Sequence, residues 1–192
     1  VTLEKKSNNY IKPENWDEFI NQDSVITIDV RNNYEVEVGT FSNSISPETK
    51  NFREFNSFIE RSRNNFKKKK LAIFCTGGIR CEKASALFSE KGFDDVYQLE
   101  GGILNYFKKS KDKKNFVGEC FVFDDRVTVD KSLNPGDFIQ CFACRRPISN
   151  DDKNRSEYTE GISCHNCINE KSDDDRKRFA DRQNQNLLNN KK

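Results

Sequence analysis

Short apolar, β-branched runs alternate with helical patterns over the first 110 residues, and this alternation constrains the fold more than any other feature. Val25 to Val30 reads Val-Ile-Thr-Ile-Asp-Val, which suits a strand buried on both faces. Apolar residues at 16, 19 and 20, following Pro13, predict a short helix before it. Positions 52, 55, 58, 59 and 66 keep helical spacing and predict an amphipathic helix that ends in the basic run Lys67 to Lys70. Leu71 to Phe74 predicts a second strand. A helix follows from near Glu82, with Ala84, Leu87 and Phe88 on one face and Gly92 just past its end. Val96 to Leu99 is a third strand, and Gly101-Gly102 turns the chain into a helix through Ile103, Leu104 and Phe107. Strands alternating with helices in this way predict an α/β domain built on a parallel sheet.

Beyond residue 110 the pattern breaks down. Lys108 to Lys114 is lysine-rich, Cys120 to Val129 alternates weakly as a strand pair, and Asn134-Pro135-Gly136 predicts a turn. Asn169 to Lys192 is charged and Asn-rich, with Phe179, Leu187 and Leu188 as its large apolar residues, so a solvated helix with a disordered end is expected. The chain is 34% hydrophobic, or about 39% with its glycines, below the roughly 45–50% of an ordinary globular domain. A compact core with polar segments around it follows. With 33 basic and 31 acidic residues the net charge is +2, so any nucleic-acid-binding face must be local, with acid collected elsewhere, as at Asp173 to Asp175. No window approaches a membrane span and no basic-then-apolar leader opens the chain, which leads us to expect a cytoplasmic protein with no membrane partner. The sequence starts at Val1 and contains no Met, so we expect it to begin part-way through a longer product.

The strand ending at Phe74 delivers Cys75 into the loop Cys75-Thr76-Gly77-Gly78-Ile79-Arg80-Cys81, which runs into a helix. N–H groups in such a loop and at a helix N-terminus lower the pKa of a thiol held among them. Arg80 adds a fixed positive charge, and Gly77 and Gly78 are expected to allow close backbone approach. Cys75 is thus the candidate nucleophilic or sulfur-carrying cysteine and Arg80 its catalytic partner, with Thr76, Gly77, Gly78, Ile79 and Cys81 as loop support. Four residues separate Cys75 from Arg80, one fewer than in the phosphate-enclosing loop of cysteine phosphatases, and a tighter ring favours a persulfide sulfur over a phosphate. The competing reading is an ordinary βα turn holding an inert cysteine. Cys81 reads either as a resolving thiol or as a packing residue.

Seven cysteines, unevenly spaced, do not read as a secreted disulfide framework. Cys141-x2-Cys144-x19-Cys164-x2-Cys167 has the spacing of a structural zinc site made of two thiolate pairs, with disulfides or free thiols as the other readings. Four thiolates leave no open position on the ion, which leaves catalysis to Cys75. His165, inside the second pair, reads as an exposed bystander. Phe142 beside Arg145 and Arg146 offers a ring and guanidinium groups to an unpaired base, while the lysine runs read as solvated loops.

Asp29-Val30-Arg31 with Glu35, the loop from Cys75, and Leu99-Glu100-Gly101-Gly102-Ile103 together resemble the rhodanese domain. Asp29, Arg31 and Glu35 look like the internal salt-bridge set after its first strand. Asn51-Phe52-Arg53-Glu54-Phe55, Cys75 to Lys83 and Gly118-Glu119-Cys120-Phe121-Val122-Phe123-Asp124 resemble the bacterial rhodanese-like tRNA uridine hydroxylases. The likeness continues through Cys141-Phe142-Ala143-Cys144-Arg145-Arg146-Pro147 and Arg178-Phe179-Ala180-Asp181-Arg182-Gln183, and so covers nearly the whole chain. That resemblance implies oxygen-dependent conversion of the tRNA wobble uridine to 5-hydroxyuridine, with Cys75 essential, molecular oxygen as co-substrate and the anticodon region as partner. The family carries a ferredoxin-like domain ahead of the rhodanese unit, which nothing here matches. The expected organisation is a linker over 1–14, a rhodanese domain over 15–115, a cysteine-rich zinc segment over 116–170 and a charged tail over 171–192. The residues alone predict sulfur transfer through a Cys75 persulfide, and with one His the chain cannot build a two-His-one-carboxylate iron site. A non-catalytic, zinc-stabilised binding module is the third reading.

Overall fold

A computed structural model describes residues 9–189, which divide into two compact units, one of residues up to 122 with 129–134 and the other of 123–128 with the residues from 135 on. In the first unit the elements follow in order as β1 (Tyr10–Ile11), α1 (Pro13–Ile20), β2 (Val25–Asp29), α2 (Asn33–Val36), β3 (Gly39–Phe41) and β4 (Ser44–Ile45). They continue as α3 (Phe55–Phe66), β5 (Lys70–Phe74), α4 (Ile79–Glu90), β6 (Val96–Leu99), α5 (Gly102–Lys109), β7 (Phe116–Gly118) and β8 (Cys120–Phe121). The short β9 (Thr128–Val129) is followed in the second unit by β10 (Ile139–Gln140), β11 (Pro147–Ile148) and α6 (Asp173–Asn189).

Five strands form one parallel sheet in the order β1-β6-β5-β2-β4. Alternation along β5 shows how both faces are used: Leu71 and Ile73 join a core with Phe55, Phe58, Ile59 and Phe88 of α3 and α4, while Ala72 and Phe74 join the other core with Trp16, Ile103, Tyr106 and Phe107 of α1 and α5. A strand buried on both sides needs a continuous apolar run, which is why Leu71 to Phe74 was readable as one. The α/β expectation holds, with a parallel sheet flanked by helices.

Several boundaries move. Tyr10 and Ile11 pair with Gln98 and Leu99, and α1 begins at Pro13, so the expected linker already belongs to the domain from residue 10; residues 1–8 lie outside the described residues. At the other end β7 pairs antiparallel with β3, and Cys120, Val122 and Val129 are buried in the same core as Trp16, which carries the unit past 115. The pairing partner of β7 lies about 75 residues earlier, a separation that local periodicity cannot report. The helix expected from Glu82 starts at Ile79, because the loop's last residues supply its first turn. The turn expected at 134–136 falls instead over Asp130 to Asn134, where Asp130 Oδ1 accepts from the N–H groups of Ser132 and Asn134.

Instead of a separate tail, α6 is part of the second unit. Arg182 Nη2 donates to the Phe142 carbonyl at 2.8 Å, and a Cβ on Gly161 would meet Gln183 at 2.5 Å. Among the described residues no helix is long and apolar enough to cross a membrane.

Phe41 is fully buried, with its ring against those of Trp16, Phe74, Tyr106 and Phe116. Phe41→Ala is expected to destabilise the first unit by about 3–5 kcal/mol. Denaturant unfolding followed by the fluorescence of Trp16, the sole tryptophan, measures it.

Candidate functional site

Three loops meet beyond the carboxyl ends of β2, β5 and β6, the edge at which open parallel sheets place their ligands. The loop after β5 carries Cys75, the loop after β2 carries Arg31 to Glu35, and the turn after β6 is Gly101-Gly102. The start of α5 grips the back of the cysteine loop: Ile103 N–H donates to the Cys75 carbonyl at 2.9 Å and Leu104 N–H to the Thr76 carbonyl at 3.1 Å. Those carbonyls satisfy helix N–H groups that otherwise have no partner. A Cβ on Gly102, whose φ is +67°, would stand 2.4 Å from the Cys75 carbonyl oxygen and 2.6 Å from that of Thr76. The close approach expected at Gly77 therefore occurs at Gly102. Gly77 has open space where a Cβ would go, and Gly78 is required for its φ of +91°.

Cys75 is 2% exposed, and its sulfur faces a ring of donors. Gly78 N–H donates to Sγ at 3.1 Å, and the Cys81 thiol and the backbone N–H groups of Cys81 and Arg80 also hydrogen-bond to it. The Cys81 thiol contributes most to bringing the Cys75 thiol down to about 6, burial works against it, and the backbone donors and the Arg80 charge complete the effect. Cys75 is therefore a thiolate at neutral pH. Cys81 goes the other way: burial, then its hydrogen bond and proximity to Cys75, hold its pKa well above the ordinary thiol value.

Arg80 does not point freely at a ligand. Nη1 and Nη2 donate to Glu35 Oε2 and Oε1, each at 2.6 Å, and Glu35 also accepts from Asn32 N–H at the start of α2. Arg31 makes a matching fork to Asp29, with Nε at 2.9 Å and Nη2 at 2.6 Å, and donates to the Gly39 carbonyl. The internal salt-bridge set thus divides into two pairs, and the loop arginine is the partner of Glu35. Burial opposes the Arg80 charge, but the Glu35 contacts outweigh it and raise its pKa. Thr76 is buried, with Oγ1 3.5 Å from the Phe121 carbonyl. Ile79, expected as loop support, is 78% exposed. Cys120, read only as part of a string, is buried and pushed up to about 12 by its desolvation despite the charge of Arg31.

In the second unit the sulfurs of Cys141, Cys144, Cys164 and Cys167 all lie within 4.8 Å of one another. Cys144 and Cys164 are 3.7 Å apart, and Cys164 and Cys167 are 3.8 Å apart. A tetrahedron with zinc–sulfur bonds of about 2.3 Å has edges of about 3.8 Å, so the donors fit a tetrahedral ion such as zinc. Three of them, Cys141, Cys144 and Cys164, compete for charge. Cys141 is held low by hydrogen bonds from Cys144 and Cys164, and both of those are driven up by Cys141. His165 is half-buried, with Nδ1 3.5 Å from Asp152 Oδ1, and is not the exposed bystander expected. Phe142 is 50% exposed, with the Arg145 guanidinium 5.7 Å from its ring centre. Arg146 does not join them. It donates to the Asn166 carbonyl and to Glu170, tying the two cysteine turns together. Arg182 on α6, named in the sequence only within the string from Arg178 to Gln183, stacks on Phe179 and donates to the Phe142 carbonyl.

A family profile described as the rhodanese-like domain matches residues 12–109, half of the chain. Among solved structures, a rhodanese-related protein from Thermoplasma volcanium is 24% identical, with 53% of this chain and 92% of that chain covered and a TM-score of 0.42. The rhodanese-like domain of an Anabaena protein is 15% identical over 57% of this chain and 79% of that one, with a TM-score of 0.46. An As-Sb reductase from Leishmania major is 18% identical over 76% of this chain and 94% of that one, with a TM-score of 0.41.

The low pKa of Cys75 sets a pH dependence. Its alkylation rate is expected to rise through a midpoint near pH 6 and then level off, because the reactive thiolate persists down to that pH. Arg80→Gln removes a positive charge beside the sulfur and shifts the midpoint upward. Site-resolved mass spectrometry of iodoacetamide labelling at a series of pH values measures both.

Proposed function

The chain belongs to the rhodanese-like domain family, and from that premise we propose that it is the thiol-bearing part of a tRNA uridine hydroxylase, acting on the wobble uridine to give 5-hydroxyuridine with molecular oxygen as co-substrate. The observation that carries this reading is a Cys75 thiolate, held by backbone donors, in a chain that keeps the strings resembling that subfamily on both sides of the loop and into the cysteine-rich unit. Cys75 is the essential cysteine of this reading. Arg80 fixes positive charge beside it from its fork on Glu35, and Gly102 keeps the loop carbonyls against α5. Phe142 and Arg145 supply an exposed ring and a guanidinium for an unpaired anticodon base.

A second reading, sulfur transfer through a persulfide on Cys75, is favoured by the short loop and by a sulfur site too enclosed for a bulky group. Nucleoside mass spectrometry of tRNA from cells carrying Cys75→Ser in the full-length protein separates the two. Loss of 5-hydroxyuridine and its derivatives is expected. Their persistence, with disappearance of a thiolated nucleoside, would overturn the hydroxylase reading in favour of sulfur transfer.

In this reading the four cysteines of the second unit hold a structural zinc ion. Metal analysis of the reduced protein is expected to find about one zinc per chain, and Cys141→Ser or a strong chelator to remove it. Loss of the ion should leave residues 135–189 open to proteolysis, read as early cleavage there in a limited digest.

A further inference from the structure

Neither reading above gives the Cys81 sulfur any chemistry of its own. Cys81 lies in the first turn of α4, fully buried, six positions after Cys75. Gly78 links the two residues: its N–H donates to Cys75 Sγ at 3.1 Å and its carbonyl accepts from Cys81 N–H at 3.0 Å. The two thiols hydrogen-bond to each other, and both belong to the core cluster with Phe55 and Phe88. Cys120 belongs to the other core cluster, with Trp16 and Phe116.

We propose that Cys81 is the resolving thiol of Cys75, closing a Cys75–Cys81 disulfide after a small peroxide has oxidised Cys75. In the first step the Cys75 thiolate attacks one peroxide oxygen. The O–O bond breaks, a sulfur–oxygen bond forms, sulfur is oxidised by two electrons and the other oxygen leaves as hydroxide, giving a sulfenic acid. In the second step the Cys81 sulfur attacks the Cys75 sulfur. The S–S bond forms, the S–O bond breaks, and the Cys81 proton departs with the hydroxyl as water. A dithiol reductant returns both residues to thiols.

The surroundings suit this sequence. Cys75 is 2% exposed, which favours a small oxidant such as a peroxide over a bulky disulfide such as oxidised glutathione. Burial, then the hydrogen bond and charge of Cys75, hold Cys81 protonated in the resting site; oxidation of Cys75 removes that charge, and Cys81 gives up its proton to the departing hydroxyl as it attacks. An unresolved sulfenic acid proceeds to sulfinic acid, which ordinary thiols do not reverse. Cys81 therefore keeps the reactive sulfur recoverable.

The test treats the full-length, metal-loaded protein with one equivalent of hydrogen peroxide, alkylates the remaining thiols without reductant, and maps the products by mass spectrometry. A Cys75–Cys81 linkage, reversed by dithiothreitol, is expected in the wild type, and Cys81→Ser should accumulate at least about tenfold more sulfinic acid at Cys75. Linkage of Cys75 to any other cysteine, oxidation of Cys75 without linkage, or no reaction at Cys75 would each overturn the proposal. If Cys81→Ser does not fold, the wild-type linkage decides alone. None of these outcomes depends on tRNA or its nucleosides, so failure here is distinct from failure of the hydroxylase reading.

Discussion

Two hydrogen bonds at the start of α5 hold the reactive loop in place. Ile103 and Leu104 donate to the carbonyls of Cys75 and Thr76, and so fix the backbone on either side of the sulfur-bearing residue. With its carbonyls held on one side, the loop turns back through Gly78, and the N–H groups of Gly78 and of the first turn of α4 meet the sulfur. One helix N-terminus is thus occupied by the loop's carbonyls and the next by its thiolate. The contact tolerates no side chain at residue 102, where a Cβ would lie 2.4 Å from a carbonyl oxygen.

Charge acts on this site from a distance set by packing. Asp29 with Arg31 and Glu35 with Arg80 are forked pairs whose geometry is fixed by two bonds each. Such buried pairs add little to stability over an apolar replacement, but they hold a guanidinium at a defined angle. Arg80 is committed to Glu35, so its influence on Cys75 is that of one end of an ion pair, weaker than the direct hydrogen bond from the Cys81 thiol. Short-range donors, more than the arginine, make this cysteine a thiolate. Arg31 Nη1 has no hydrogen-bond partner among the described residues and is fully buried, so the polar region behind the loop is not saturated.

The sheet was legible because its central strands are buried on both faces, and a continuous run such as Leu71 to Phe74 has few other uses. The loop was legible because a cysteine, two glycines and an arginine between a strand and a helix have a common physical purpose. What escaped notice depended on contacts distant in sequence. Glu35 and Arg80 are 45 residues apart, and nothing in the local pattern of either announces the other. The contribution of Gly102 appears only when the Cys75 carbonyl is known to lie against it. Arg146, read with Phe142 and Arg145 as a group for an unpaired base, is taken up by the Asn166 carbonyl and Glu170, 20 and 24 residues away in sequence.

The chain stabilises sulfur in two different ways, and the difference follows from how many thiols are crowded together. At Cys75 one thiolate is surrounded by N–H and S–H donors, which carry enough partial charge to hold a single negative charge in a nearly sealed site. In the second unit, four sulfurs within 4.8 Å of one another cannot all ionise against one another's fields, and a divalent cation at their centre would remove that conflict. The buried members of that unit's apolar cluster are Cys141, Ile148, Cys164 and Cys167, so three of its four buried residues are candidate ligands. Too few apolar side chains are left to order this unit by burial alone. A metal ion such as zinc bound there would act as the core itself, and metal binding and folding of this unit would become a single equilibrium.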